Sequence, residues 1–175
     1  MIERYVLTGG PCCGKTTLIN ELRKKGYQIL DEVAREVLDG RKRKSLEDGM
    51  QSLQEEIFEK QMIKEDKLNG KTAFLDRGLI DGFAYQNIFL GYVSEDFKKK
   101  IKCREKYSEI FVLDRLPYKN DGIRKESDEE AQKIHEEIIR QYQNQGYSPI
   151  FIPVKENVEQ RVDLILKYLN GGKNE

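Results

Sequence analysis

Residues 9–16 read Gly-Gly-Pro-Cys-Cys-Gly-Lys-Thr, with four residues between the two outer glycines and a lysine and a hydroxyl residue after the second. The segment lies between an apolar run, Tyr5 to Thr8, and a helical pattern that contains Leu18 and Leu22. Glycines let backbone N–H groups turn inward around an anion, and the amino end of the next helix adds unpaired donors and partial positive charge. The sequence therefore predicts a phosphate-binding loop that holds a nucleoside triphosphate.

The residues of this loop have separate expected roles. Lys15 is expected to reach the β- and γ-phosphates, Thr16 to place its hydroxyl on Mg²⁺, and Thr17 to bond the α-phosphate. A purely structural glycine turn is the alternative, but it explains neither the lysine nor the hydroxyl. Cys12 and Cys13 are either redox-sensitive thiols or spacers with useful backbone amides, and we favour spacers. The predicted nucleotide contacts are Gly9, Gly10, Pro11, Cys12, Cys13, Gly14, Lys15, Thr16 and Thr17.

Short apolar runs alternate with helical patterns along the whole chain. The runs lie at residues 5–8, 28–30, 72–75, 109–113 and 149–154. They are apolar throughout, as is typical of parallel strands covered on both faces. Capping boxes at residues 45–48 and 127–130 predict helix starts, and Gly26, Gly70 and Gly146 predict helix ends. We expect one α/β domain over residues 1–175, with a parallel sheet and right-handed crossovers.

Composition excludes several classes of protein. Lys and Arg number 31 and Asp and Glu number 31, so the neutral chain is not expected to bind nucleic acid stably. No apolar stretch approaches the roughly 20 residues of a membrane span, and none resembles a signal peptide, so we expect no membrane insertion and a cytoplasmic protein. The basic clusters at 41–44 and 98–106 are interpreted as solvated surface, with an anionic partner as the alternative. Oligomeric state is left open.

Charged residues follow the predicted strands where ligands gather in open α/β sheets. Asp76 ends the third strand beside the phosphate-binding loop and is the expected second metal partner of Thr16. Asp31 and Glu32 end the second strand, and either carboxylate could accept the proton of an acceptor hydroxyl. Asp31 could equally form a surface pair, and we favour Glu32.

Arginines are expected to bind the acceptor and the charge on the transferred group. Arg35 and Arg77 are placed at the acceptor, with Asp81 and Tyr85 on the next helix face. Arg124, on a glycine-containing loop, is expected to close as a lid.

Three other residues receive structural or open interpretations. His135 is expected at the surface because Glu136 and Glu137 follow it on a charged helix. Asp114 and Arg115 follow the fourth strand, where they could serve the site, or could only cap the strand or form surface pairs.

The order of these motifs resembles that of the NadR-like AAA-type P-loop domains, which are relatives of ribosylnicotinamide kinase, deoxynucleoside kinases and thymidylate kinases. The resemblance rests on the loop with its strand, on the acidic-x-x-Arg segment, on the Asp-Arg motif with Asp81 and Tyr85, on Asp-Gly-Ile-Arg and on Gln-Gly-Tyr before the last strand. These segments are residues 6–17, 31–36, 74–78, 121–124 and 145–147.

The resemblance implies a P-loop NTPase three-layer sandwich of the nucleoside-monophosphate-kinase type, with a five-stranded parallel sheet of order 2-3-1-4-5 and a lid at about 115–127. It also implies Mg²⁺ with ATP or GTP as the phosphoryl donor. We interpret the chain as a small-molecule kinase whose acceptor is a nucleoside, a nucleotide or a cofactor precursor. The alternative is a regulatory NTP-binding or NTP-hydrolysing switch that acts on a protein or lipid partner.

Overall fold

The computed structural model describes residues 2–41, 49–116 and 127–169. Strands and helices alternate over these residues, as the apolar runs predict. The elements are β1 (Glu3–Thr8), α1 (Lys15–Lys24), β2 (Gln28–Leu30), α2 (Val33–Arg41), α3 (Gly49–Asp66), β3 (Thr72–Asp76), α4 (Asp81–Leu90), α5 (Glu95–Lys102), β4 (Glu109–Leu113), α6 (Asp128–Asn144), β5 (Ile150–Ile152) and α7 (Val158–Leu169).

The five strands form one parallel sheet in the order β2-β3-β1-β4-β5, which confirms the predicted topology. Strand β1 is central, and its Val6 lies opposite Leu75 of β3 and Ile110 of β4. The carboxyl ends of β1, β3 and β4 therefore lie side by side. This places the residues after Thr8, Asp76 and Leu113 at one edge of the sheet.

Two apolar layers cover the sheet because successive strand residues point to opposite faces. Val6 packs in the cluster that contains Phe83 of α4 and Ile138 of α6. Tyr5 and Leu7 pack in the cluster with residues of α1 and α7, including Leu18, Ile19, Val162 and Ile165. The fold is thus the three-layer sandwich predicted from the sequence.

The structure confirms one predicted helix start and two of the three predicted helix ends. The Ser127 hydroxyl accepts the Glu130 backbone N–H at 3.2 Å, and the Glu130 carboxylate accepts the Ser127 N–H at 2.8 Å, which completes the capping box of α6. Gly26 and Gly146 have positive φ and directly follow the C-caps of α1 and α6. Gly70 also has positive φ, but α3 ends at Asp66, so Gly70 does not end the helix as predicted. The second predicted box, at 45–48, lies outside the described residues. Among the described helices, none combines the length and the apolar character that a membrane crossing requires.

Candidate active site

The phosphate-binding loop joins β1 to α1 with three residues in left-handed conformations. Gly9, Cys12 and Gly14 have φ values of 133°, 61° and 82°. A Cβ on Gly9 would also lie 2.9 Å from the carbonyl oxygen of Leu113 in β4. Gly9 is therefore required by its backbone angle and by the neighbouring strand together.

Lys15 begins α1, and its side chain bends back over the loop. Its Nζ donates to the carbonyl oxygens of Gly9 at 3.1 Å and Gly10 at 2.9 Å, and lies 3.2 Å from the Sγ of Cys13. The lysine is 8% exposed, so its charge is held inside the loop. Thr16 and Thr17 are exposed in the first turn of α1, at the helix end that attracts anions.

Arg161 of α7 connects the phosphate-binding loop by hydrogen bonds to the residues at the ends of β4 and β5. Its guanidinium donates to three backbone carbonyls, those of Cys13 at 2.9 Å, Asp114 at 3.2 Å and Ile152 at 3.0 Å. Sequence reasoning missed this residue. The available signal was its spacing, because Arg161 lies three residues after Val158 on the apolar face of the helix.

His135 contradicts the surface position expected from its acidic neighbours. The side chain is 8% exposed, and its Nδ1 accepts a hydrogen bond from the Gly10 N–H at 3.0 Å. The misleading signal was local, because Glu136 is exposed while His135 turns towards the loop. The interior side of α6 therefore contacts the backbone of the phosphate-binding loop.

Asp76 lies at the end of β3 and is 5% exposed. Burial raises the pKa of this carboxyl group from 3.8 to about 6. Lys15 and Arg77 oppose the rise, whereas Glu32 and Asp81 add to it. The chain thus holds a carboxyl group in a place where its ionised form is unfavourable unless a cation joins it.

Asp76 and Thr16 fit the magnesium ion that the sequence predicts. Among the described residues, Asp76 Oδ1 is buried without a hydrogen-bond partner, and the Thr16 hydroxyl is exposed. Carboxylate, hydroxyl and phosphate oxygens are the ligands that Mg²⁺ prefers. Over 2–41, 49–116 and 127–169, no group of three or more His, Cys, Asp or Glu side chains could hold a metal. This arrangement matches a magnesium site to which the protein contributes few ligands and the phosphates of the nucleotide contribute the others.

Arg77 links the loop to the candidate acceptor site. Its Nε donates to Glu32 at 2.9 Å, and its Nη1 donates to the carbonyl oxygen of Gly9 at 3.2 Å and to Asp81 at 3.1 Å. The guanidinium also lies over the Tyr85 ring, 5.4 Å from its centroid. The structure brings the predicted residues Glu32, Asp81 and Tyr85 into contact with Arg77, and the sequence reasoning did not foresee these contacts.

Asp81 is fully engaged by the protein. Its Oδ1 accepts the Thr8 hydroxyl and Arg77, and its Oδ2 accepts the Gly78 N–H at 2.9 Å and the Tyr142 hydroxyl at 2.7 Å. An ionised carboxylate has about four acceptor positions, and these four donors use them. The geometry supports a positioning role for Asp81 towards Arg77.

Glu32 and Asp31 separate clearly in the structure. Asp31 is 73% exposed in its side chain and pairs with Arg23, whereas Glu32 lies beside Arg77 and 3.5 Å from Arg35. Burial raises the pKa of Glu32, but the charge and hydrogen bond of Arg77, together with the charges of Lys15 and Arg35, lower it by more and leave it below its ordinary value. Glu32 is therefore ionised at neutral pH and faces the site.

A cavity of about 840 Å³ runs from the loop to helices α2, α3 and α4. Its polar end contains Lys15, Thr16, Glu32, Arg35 and Arg77, and its other end is mainly apolar. Sequence reasoning did not predict that α3 supplies much of this wall. The wall from α3 consists of Met50, Leu53, Gln54, Ile57, Phe58 and Gln61.

A family model described as an AAA domain matches residues 4–161, which include the loop and all the site residues above. The chain belongs to this AAA-domain family. A search of curated protein sequences found no match.

Solved structures share the fold of this AAA-domain protein. NadR in complex with NR aligns with a TM-score of 0.74 and 21% identity, over 99% of this chain and 53% of that chain. The chain thus spans about half of NadR. Deoxyadenosine kinase from M. mycoides with dCMP and dCDP has a TM-score of 0.65 and 19% identity, over 97% of this chain and 100% of that chain. Thymidylate kinase from Ehrlichia chaffeensis has a TM-score of 0.64 and 15% identity, over 95% and 98%.

These likenesses establish that the AAA-domain protein has the P-loop fold of nucleoside and nucleotide kinases. The predicted lid at 115–127 falls mostly on residues 117–126, which lie outside the described residues, and Arg124 is among them. Arg115 is described, and it bonds Gln132 at 2.9 Å and pairs with Asp128 at the start of α6. This contact supports the structural interpretation of Arg115.

Proposed function

We propose that this AAA-domain protein transfers the γ-phosphoryl group of ATP or GTP to a nucleoside, a nucleotide or a related cofactor precursor. The cavity carries the proposal. It begins at the phosphate-binding loop, presents Glu32 and Arg77 there, and has the volume of a small-molecule site. A protein that only binds and hydrolyses a nucleotide has no need for the cavity to extend beyond the loop to α2, α3 and α4.

The charged end of the cavity has the groups that phosphoryl transfer requires. Lys15 binds the donor phosphates and neutralises charge on the transferred group. Glu32, ionised and facing the cavity, accepts the hydrogen bond of an acceptor hydroxyl and orients its oxygen. Arg77 supplies a fixed cation, and Mg²⁺ held by Thr16 and Asp76 would add charge neutralisation to the donor phosphates.

The far end of the cavity supports an acceptor that carries a planar base. Phe58 is buried there, stacked on Phe97 with 3.7 Å between ring centroids, and Tyr85 and Phe89 line the same space. Gln54 is 6% exposed, and its Nε2 lies 3.8 Å from the Sδ of Met50. An amide offers a donor and an acceptor side by side, which suits the edge of a base. NadR with NR and the M. mycoides kinase with dCMP are consistent with this class.

The direct test is phosphorylation of pooled nucleosides, nucleotides and vitamin precursors with Mg²⁺ and ATP or GTP, followed by mass spectrometry. We expect one compound to gain a phosphate. Glu32→Gln should lower kcat by about 10²-fold or more with little change in nucleotide affinity. Asp31→Asn is the matched control, because the adjacent carboxylate is exposed, and it should retain activity. Nucleotide hydrolysis at one rate with every pool, and no phosphorylated product, would refute the kinase and favour the switch.

The acceptor itself is tested by a second pair of variants on α3. Gln54→Leu should raise the KM for the acceptor about 10-fold and leave the KM for the donor unchanged, because only the acceptor loses a partner. Gln51→Leu changes an exposed amide on the same helix, bonded to Glu55, and should match the wild type. If the wild type, Gln54→Leu and Gln51→Leu had the same KM for the acceptor, the base of the acceptor would not contact Gln54.

A further inference from the structure

His135 contacts the phosphate-binding loop through an unprotonated ring nitrogen. Its Nδ1 accepts the Gly10 N–H at 3.0 Å, so in the described state the ring is neutral and carries its proton on Nε2. A cationic imidazole has a proton on both nitrogens. Protonation would therefore set two donors against each other at this contact.

The contact is close because Gly10 has no side chain. A Cβ there would lie 2.9 Å from the carbonyl oxygen of Ala131 and 2.9 Å from the Cβ of His135. Helix α6 thus packs directly on the loop backbone. On its other side, the carbonyl of Gly10 accepts Lys15 Nζ at 2.9 Å, so one residue of the loop contacts both the histidine and the catalytic lysine.

We propose that His135 is a positioning residue of the phosphate-binding loop, and that its neutral form holds the loop in the conformation that binds the donor nucleotide. The inference rests on the proposed nucleotide site. Loss of the Nδ1 acceptor frees Gly10 from α6 and disturbs the backbone on which Lys15 rests. Nucleotide binding then weakens as the histidine is protonated.

The charges around His135 come from three elements. The charges of Lys15 of α1 and Arg115 after β4 disfavour protonation of His135. The charges of Asp114 after β4 and Glu136 of α6 favour it. Burial and then Arg115 have the larger effects, and the pKa of His135 lies below its ordinary value. The neutral, accepting form is therefore present at neutral pH and is lost only when the pH falls below this lowered pKa.

The test compares nucleotide affinity in three tag-free proteins between pH 7.5 and pH 5.0. His135→Asn keeps an acceptor, since the Asn Oδ1 occupies about the place of Nδ1, but does not titrate. His135→Leu has no acceptor. We expect the wild type to match His135→Asn at pH 7.5 and to weaken relative to it as the pH falls towards 5.0, by at most about 10-fold, the scale of one hydrogen bond. His135→Leu should bind weakly at every pH.

The ratio of wild type to His135→Asn isolates the histidine, because Asp76 and the terminal phosphate of the ligand titrate in both proteins. A constant ratio over the pH range, or tight binding by His135→Leu, would overturn the proposal. Absence of nucleotide binding by the wild type would instead contradict the proposed function.

A separate readout needs no nucleotide. The sequence contains one histidine, so its ring signals in NMR are assigned without ambiguity. We expect the tautomer protonated on Nε2 at pH 7.5, and a proton on Nδ1 would contradict the Gly10 contact.

Discussion

Replacing Asp76 by Asn should stabilise the protein at neutral pH while abolishing phosphoryl transfer. The carboxyl group has a pKa of about 6 in the folded chain, against 3.8 ordinarily. Between these values the unfolded chain binds fewer protons than the folded chain, so stability falls as pH rises. The deficit is absent well below pH 3.8, grows through about pH 6 and is nearly complete at pH 7.

The two pKa values give the size of the deficit. Ionisation of Asp76 lowers the free energy of unfolding by about 1–2 kcal/mol at pH 5 and about 3 kcal/mol at pH 7. An Asn at this position does not titrate. The free-energy difference between Asp76→Asn and the wild type should therefore increase by about 1 kcal/mol from pH 5 to pH 7, whatever constant offset the amide introduces.

Urea unfolding followed by circular dichroism, with EDTA present, measures this difference at pH 5, 6 and 7. Asp31→Asn is the control, since that side chain is 73% exposed in a surface pair of little energetic value. Its difference from wild type should change little over the range. A flat difference for Asp76→Asn would refute the conclusion that burial dominates at this carboxyl group. Retained kinase activity would refute its role as a metal partner.

Three further outcomes follow from the loop and its supports. Lys15→Met should abolish phosphoryl transfer in the mass assay, and turnover near the wild-type rate would contradict its role. Gly10→Ala should lower the free energy of unfolding by about 1–3 kcal/mol, because its Cβ would lie 2.9 Å from the backbone of α6. Gly82→Ala should not lower the free energy of unfolding, because Gly82 is a helical position with open space where the Cβ would lie. Arg161→Met should cost about 2–4 kcal/mol in urea unfolding, because buried carbonyls lose their donor; an unchanged midpoint would refute this.

The sequence determined those parts of the molecule that depend on neighbouring residues. The conformation of the phosphate-binding loop follows from Gly9, Gly14 and the helix that begins at Lys15, all within a few residues. The capping box of α6 is equally local, since Ser127 and Glu130 satisfy each other. The apolar runs identified the strands because a strand is also a local feature of neighbouring residues. The topology was predicted from the order of the motifs, through its resemblance to known kinases.

Spacing along the chain also gathered the charged residues at the sheet edge but did not assign their partners. Asp76, Arg77 and Asp81 were placed at the site because parallel strands end together. Only the folded structure showed that Asp81 accepts Thr8 and Tyr142 while Asp76 keeps a buried oxygen without a partner among the described residues. These opposite roles depend on which donors surround each carboxylate, and those donors come from distant elements.

The supports of the loop were decided by tertiary structure alone. His135 is 125 residues from Gly10 in sequence, and Arg161 is 148 residues from Cys13, yet each makes a direct hydrogen bond to the loop. Likewise, the apolar residues Leu53 and Ile57 of α3 line the cavity. A periodic pattern identifies the apolar side of a helix, but what that side contacts is fixed only when the helices pack on the sheet.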